Sequence, residues 1–344
     1  MNEKTPAISA KGAYAALGAA GFPTAYVKRS LPDWWDNALL KTSAGTLQFA
    51  TILKQRLGVE VRFAPDGEML VLSGSQRARF KHRAATQESE LHVAATVGLA
   101  LARLAIFSTK TVYQPLPNTA KSLASDVIRW SGQDTVGFEN LLDYCWSRGV
   151  PVLFLKELPK TSKRVAGMAV QVDQRPAIVL GLNSPQNARQ LFVLEHELAH
   201  VCLGHVGDSS VLVDEGLAAV TDSLEGAHAE ITDKEEKQAD AFALTMLRKG
   251  QSASLERSGR RLSAAELAVE ATNAGRARGI DPGHLLLSYA TEHDDWLNAN
   301  VALSYLPNTR TALAMLTKKF LANTDPHRLT EENRDHLLSA QGFS

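Results

Sequence analysis

The stretch RQLFVLEHELAHVCLGH, residues 189–205, sets two histidines, His196 and His200, four apart on one helix. At 3.6 residues per turn such positions lie nearly above one another, so both imidazoles address one point in space. A chelate for a metal ion is thereby available. Glu197, one residue past the first histidine, is rotated by about 100° around the helix. It stands at the edge of the same point, where a carboxylate can hold and deprotonate a water without itself being a ligand. The plainer reading is a pair of satisfied helix histidines, and a third ligand elsewhere in the chain decides between the two.

The segment TDKEEKQADAFALTMLRKG, residues 232–250, offers that ligand. Thr232 or Asp233 can cap a helix there, acids occupy its first turn, bases its last, and Gly250 stops it. Glu236 and Asp240 are again four apart and share a face, which Ala243 continues with a side chain small enough for close helix contact. Phe242, Leu244, Met246 and Leu247 make the helix an amphipathic packer, so burying two acids is expensive unless a cation or donors meet them. The economical assignment makes Glu236 the third ligand of one Zn2+ ion, beside His196 and His200, with Glu197 as base. Asp240 then accepts the free N–H of a ligand histidine and fixes its tautomer. Asp214 and Glu215, in VLVDEGLAAV, are competing third ligands in a loop without an orienting partner, and Glu236 could be an ordinary first-turn acid.

Composition narrows the setting. Lysine plus arginine balance aspartate plus glutamate at 37 each over 344 residues, so nothing pulls the whole chain towards nucleic acid, membrane surface or acidic substrates. The two cysteines, Cys145 and Cys202, make neither a disulfide framework nor a cysteine zinc knuckle, which fits a reducing compartment. The N-terminal stretch lacks the apolar core of a signal peptide, and no run of roughly 18 apolar residues is visible. A soluble, cytoplasmic protein with no membrane partner is expected.

Three regions of different texture follow one another: 1–114, 115–250 and 251–344. In the first, Thr42 or Ser43 caps a helix over about 44–57 that Gly58 stops, EVRFAPDGEMLVLS reads as a hairpin, and a long apolar helix spans about 88–107. QPLPNT, residues 114–119, reads as a linker. In the second region a helix over about 136–149 gives way to three strands, VPVLFLKEL, VAGMAVQV and AIVLGL. Ser184 then caps the HELAH helix with Pro185 at its first position. A loop-rich stretch runs from Gly207 to about Ile231, and the third region is helical. The fold class is α+β, mostly helical.

HELAH on a helix entered from a short sheet and preceded by RQLF, followed downstream by EKQADAFA, resembles the ImmA/IrrE family of metallo-endopeptidases over roughly residues 120–250. LPDWWDNALLKTSAGTLQFATILKQRLGV resembles the N-terminal part of longer members less specifically. The chain departs from the pattern at Gln238, where members often carry a second glutamate, and in a longer loop between the two helices. The resemblance implies a minimal thermolysin-like zinc peptidase core with helical flanking regions. It also implies a protein substrate of the helix-turn-helix repressor or antitoxin type.

Other features have bland readings. Cys202 reads as a small core residue, EHDDW (292–296) as a helix edge, and Trp34 and Trp35 as anchors of a helical cap. The basic run QRARFKHR, residues 76–83, is a solvated strand or loop, or else a nucleic-acid patch with Phe80 stacking. His205 and His228 are candidate donors to a reacting oxyanion, but His205 points away from His196 if the helix persists that far. Two functional classes remain: a zinc endopeptidase with a narrow protein substrate, and a regulatory module of the same fold that docks a transcription factor or senses DNA or a ligand. An intact Glu197 favours the enzyme.

Overall fold

Adjacent residues on one strand define the layering. A Cβ on Gly98 would meet the Met168 side chain, and a Cβ on Gly167 would meet Glu197. Neighbouring strand residues point to opposite faces, so the sheet bearing Gly167 and Met168 is sandwiched between the helices that carry Gly98 and Glu197. The computed structural model describes residues 8–72, 78–81, 88–207, 210–214, 234–255, 260–307 and 310–343. The described residues form a mostly helical α+β fold of thirteen helices and two small sheets.

The N-terminal part carries α1 (Ala10–Ala19), α2 (Thr24–Ser30) and α3 (Ser43–Ile52), which continues as one wider π turn, Leu53–Leu57. Thr42 caps α3, accepting from Gly45 N, and Gly58 at φ 70° ends the run. Strands β1 (Glu60–Phe63) and β2 (Met69–Leu72) make the expected hairpin. Trp35 stacks on Phe49 with ring centroids 5.2 Å apart, which anchors the helical cap. Next come β3 (Ala78–Lys81), α4 (Glu88–Ser108), α5 (Ala120–Ser131) and α6 (Phe138–Ser147), and then strands β4 (Val152–Phe154), β5 (Gly167–Val172) and β6 (Arg175–Leu180). After α7 (Asn187–Cys202) follow β7 (Ser210–Asp214) and α8 (Lys234–Arg248). The C-terminal helices are α9 (Ala264–Arg278), α10 (Pro282–His293), α11 (Trp296–Tyr305), α12 (Ala312–Asn323) and α13 (Glu331–Gln341).

The main sheet has the order β3-β7-β5-β6-β4. β5 and β6 form a hairpin whose two turn residues, Asp173 and Gln174, both sit at positive φ (49° and 59°), the backbone a two-residue hairpin turn requires. One strand departs from the expected outline, and another comes from the basic run expected as a strand or loop. Ser210–Asp214, expected as loop, pairs antiparallel with β5, and its Val211, Leu212 and Val213 are buried. Ala78–Lys81, from the basic run, adds parallel to β7 as an edge strand. β3 and α4, from the first sequence region, therefore build on the same sheet as the strands of the second.

Within α4, Leu91–Ser108 is apolar enough over 18 residues to cross a membrane, which the sequence reading did not anticipate. His92, Thr96 and Arg103 interrupt the apolar run while leaving its mean hydropathy high. Most of this stretch is buried within the fold, where it backs the sheet. The C-terminal helices close over the other layers. Gly283 lets α10 approach Ala188 on α7, and Gln341 Oε1 accepts from Phe154 N at 3.3 Å. Arg56 is buried and donates to Asn333 Oδ1 and Ser30 O, both at 3.0 Å, tying the N-terminal helices to α13.

Candidate metal centre

The site starts from how α7 begins. Ser184 does not cap it, since the helix opens at Asn187 after Gln186, which makes no side-chain cap bond. Gln190 Nε2 donates to Leu182 O (2.7 Å) and Ser184 O (3.0 Å), and Ser184 N donates to Leu182 O at 2.9 Å, which ties that segment into a tight turn outside the helix. Ser184 Oγ instead accepts from Gln186 N at 3.3 Å. From there α7 runs through the core, and Gln190, Glu195, His196, Glu197 and His200 are all at most 2% exposed. Burial of so many polar groups on one helix is costly and demands partners.

α8 brings them. Ala239 and Ala243, both fully buried, let it lie against α7, and Glu236 and Asp240 face the histidines. His196 Nε2 lies 3.2 Å from Glu236 Oε2, His200 Nε2 lies 3.4 Å from Glu236 Oε1, and the two Nε2 atoms are 3.0 Å apart. Three donors held tetrahedrally at zinc-like bond lengths of about 2.0–2.1 Å stand roughly 3.3 Å from one another. His196, His200 and Glu236 thus form a buried group able to hold a metal ion.

Tautomers support this. His196 Nδ1–H donates to Asp240 Oδ1 at 2.9 Å, which leaves a lone pair on its Nε2. His200 Nδ1 lies 2.9 Å from Nδ1 of His205. If His200 donates in that bond, its Nε2 also presents a lone pair. Two lone pairs and a carboxylate then converge on one point, and a cation is what such a donor set fits.

His205 is where the sequence expectation fails. α7 stops at Cys202, and Gly204 at φ 72° turns the chain back. His205 N then donates to His200 O at 3.0 Å. The ring therefore comes under His200 instead of pointing away, and supports that ligand much as Asp240 supports His196. Gly204 was the signal, because a glycine just past a helix favours this left-handed reversal.

The remaining candidates fall as follows. Glu197 is fully buried beside the ligands, against the first residue of β5. Asp214 ends β7, with its backbone opposite Gly167 and Lys81. Glu215, His228, Thr232 and Asp233 lie outside the described residues. Cys202 packs against the core, and burial pushes its thiol up to about 12. Asp295, from the EHDDW stretch, pairs with Arg261, which donates through Nε at 3.1 Å. Glu195, adjacent to His196, was passed over in the sequence. Among the described residues neither of its buried oxygens has a hydrogen-bond partner, and desolvation, then the nearby Asp281 charge, raise its carboxyl well above the ordinary range.

An open cleft of about 650 Å3 lies at the N-terminal end of α7, lined by Trp130, Asn187, Asp281 and Arg310, and it touches no residue of the metal group. No family model, curated protein or solved structure matches the chain.

Proposed function

We propose that the protein is a zinc-dependent endopeptidase of the ImmA/IrrE type, with His196, His200 and Glu236 as metal ligands and Glu197 as general base. The observation that carries the reading is the convergence of two imidazole nitrogens and one carboxylate at 3.0–3.4 Å, on a helix that places a buried carboxylate next to the first ligand. Two histidines and a carboxylate are a donor set that suits zinc. When bound, zinc supplies a Lewis acid that polarises a peptide carbonyl and makes water more acidic.

The rest is done by the chain. Glu197 takes the proton from the water that attacks the peptide carbon and delivers it to the departing amine nitrogen. Asp240 holds the ring of His196, and His205 that of His200, so both rings keep their orientation while charge shifts beside them. The sheet between α4 and α7, with α8 across the site, is consistent with the small thermolysin-like core that the paired motifs imply. Their likeness to ImmA/IrrE peptidases supports a helix-turn-helix repressor or antitoxin as substrate, acted on in the cytoplasm.

The test is cleavage of a helix-turn-helix DNA-binding protein, sought first as the product of the neighbouring open reading frame, by zinc-loaded wild type and Glu197→Gln. Glu197→Gln should keep its zinc and lose about 10²- to 10⁴-fold in rate. Cleavage at the wild-type rate would remove Glu197 from the chemistry. Zinc binding with no cleavage by wild type would favour the docking or sensing module over the enzyme.

A further inference from the structure

Gly167 opens β5 on the face of the sheet that α7 covers. A Cβ at this position would stand 2.4 Å from Glu197 Oε1, 2.7 Å from Glu197 Cγ and 2.8 Å from Val193 Cγ1. Nonbonded carbon atoms rest at about 3.5–4.0 Å, so strand and carboxylate share this space only because residue 167 has no side chain. Backbone freedom is not the reason for the glycine. Gly167 is absent from the positive-φ glycines, and it pairs in regular register with Leu180 and Asp214. Alanine suits that backbone, and its three nearest obstacles belong to Glu197 and Val193.

Glu197 has little room to give way. It is fully buried where the face of α7 that carries it meets β5. We propose that Gly167 is the positioning residue for Glu197: the bare backbone at the start of β5 is the wall that sets where the carboxylate stands. The inference rests on the reading of Glu197 as the base. It adds the element that aims that base, on a strand 30 residues before it in sequence. A methyl group at residue 167 displaces the carboxylate from the attacking water, whereas the ligands, held from α7 and α8, keep the metal.

The test combines zinc content, steady-state kinetics and thermal unfolding on Gly167→Ala, Glu197→Ala and the double variant. Gly167→Ala should bind zinc stoichiometrically, lose on the order of 10- to 100-fold in kcat and leave KM nearly unchanged, as expected for a group misplaced by about 1 Å. Its melting temperature should fall in the wild-type background and fall less than half as far when Glu197 is already alanine, because the colliding group is gone. An equal fall in both backgrounds, or an unchanged kcat, would overturn the proposal. If Gly167→Ala does not fold, recovery of folding in the double variant supports it, and failure of both overturns it. The unfolding comparison needs no substrate. A wild type that cleaves nothing while the coupling persists would remove the peptidase reading and leave the wall standing.

Discussion

Helix α7 and the helical layer after residue 260 follow opposite rules. In the C-terminal layer four of the five helices open on a side-chain cap: Ser263 accepts from Glu266 N, Asp281 from His284 N, Thr311 from Ala314 N and Thr330 from Asn333 N. Each cap satisfies a backbone donor locally, from within the same few residues. α7 has no side-chain cap and buries acids and imidazoles along its length. Its two imidazoles find their partners at a distance, in Asp240 and Glu236 on α8 and in His205 beyond the helix end. Local agreement builds scaffold, whereas α7, which departs from the local rules, carries two residues of the group able to hold a metal ion.

Acid sharpens this comparison most strongly. The C-terminal layer also buries imidazoles, but neutral ones. Burial lowers His336 to about 4, and burial with the nearby Arg248 charge lowers His284 to about 3. Both folded values lie below the ordinary 6.5, so the unfolded chain takes up protons first as pH falls. Their stabilising contribution is complete above about pH 6.5 and is lost as pH drops through that value towards the folded ones, roughly 3 kcal/mol for His336. His336→Gln should therefore narrow the gap between urea midpoints at pH 7 and pH 4.5, and an unchanged gap would contradict the burial argument.

A second break falls on the α7 side. Asp240→Asn and His205→Ala should each weaken zinc binding by about 10- to 100-fold in chelator competition, because each frees a ligand ring to rotate. The Asp240 change should be the larger, since its bond to His196 is charge-assisted. Wild-type affinity in both would mean that these contacts do not serve the metal. The smallest effect belongs to the scaffold: Ser263→Ala should cost about 1 kcal/mol of stability and leave zinc binding untouched.

Legibility in the sequence tracks the same divide. Helical spacing alone groups His196 with His200 and Glu236 with Asp240, and the structure brings these four side chains together. The hairpin β1–β2, the strands β4, β5 and β6, and the stop at Gly58 also follow from local pattern. What could not be read depended on distant partners or on one residue's backbone. Ser184 fails as a cap because its segment is tied into a turn by Gln190 and by its own bond to Leu182 O. His205 turns inward only because the helix ends and Gly204 reverses the chain. Strand β7 and the pairing of edge strand β3 depend on such partners, because β5 offers β7 an edge and β7 offers one to β3. The role of Gly167 requires knowing which helix covers its strand.

The most direct measurement is metal content, by elemental analysis of wild type, His196→Ala and Glu236→Ala purified without added metal. The account expects near-stoichiometric zinc in wild type and a sharp fall in both variants, with all three folded. A folded wild type that takes up no zinc even when it is offered would contradict the account, and HELAH would then be scaffold.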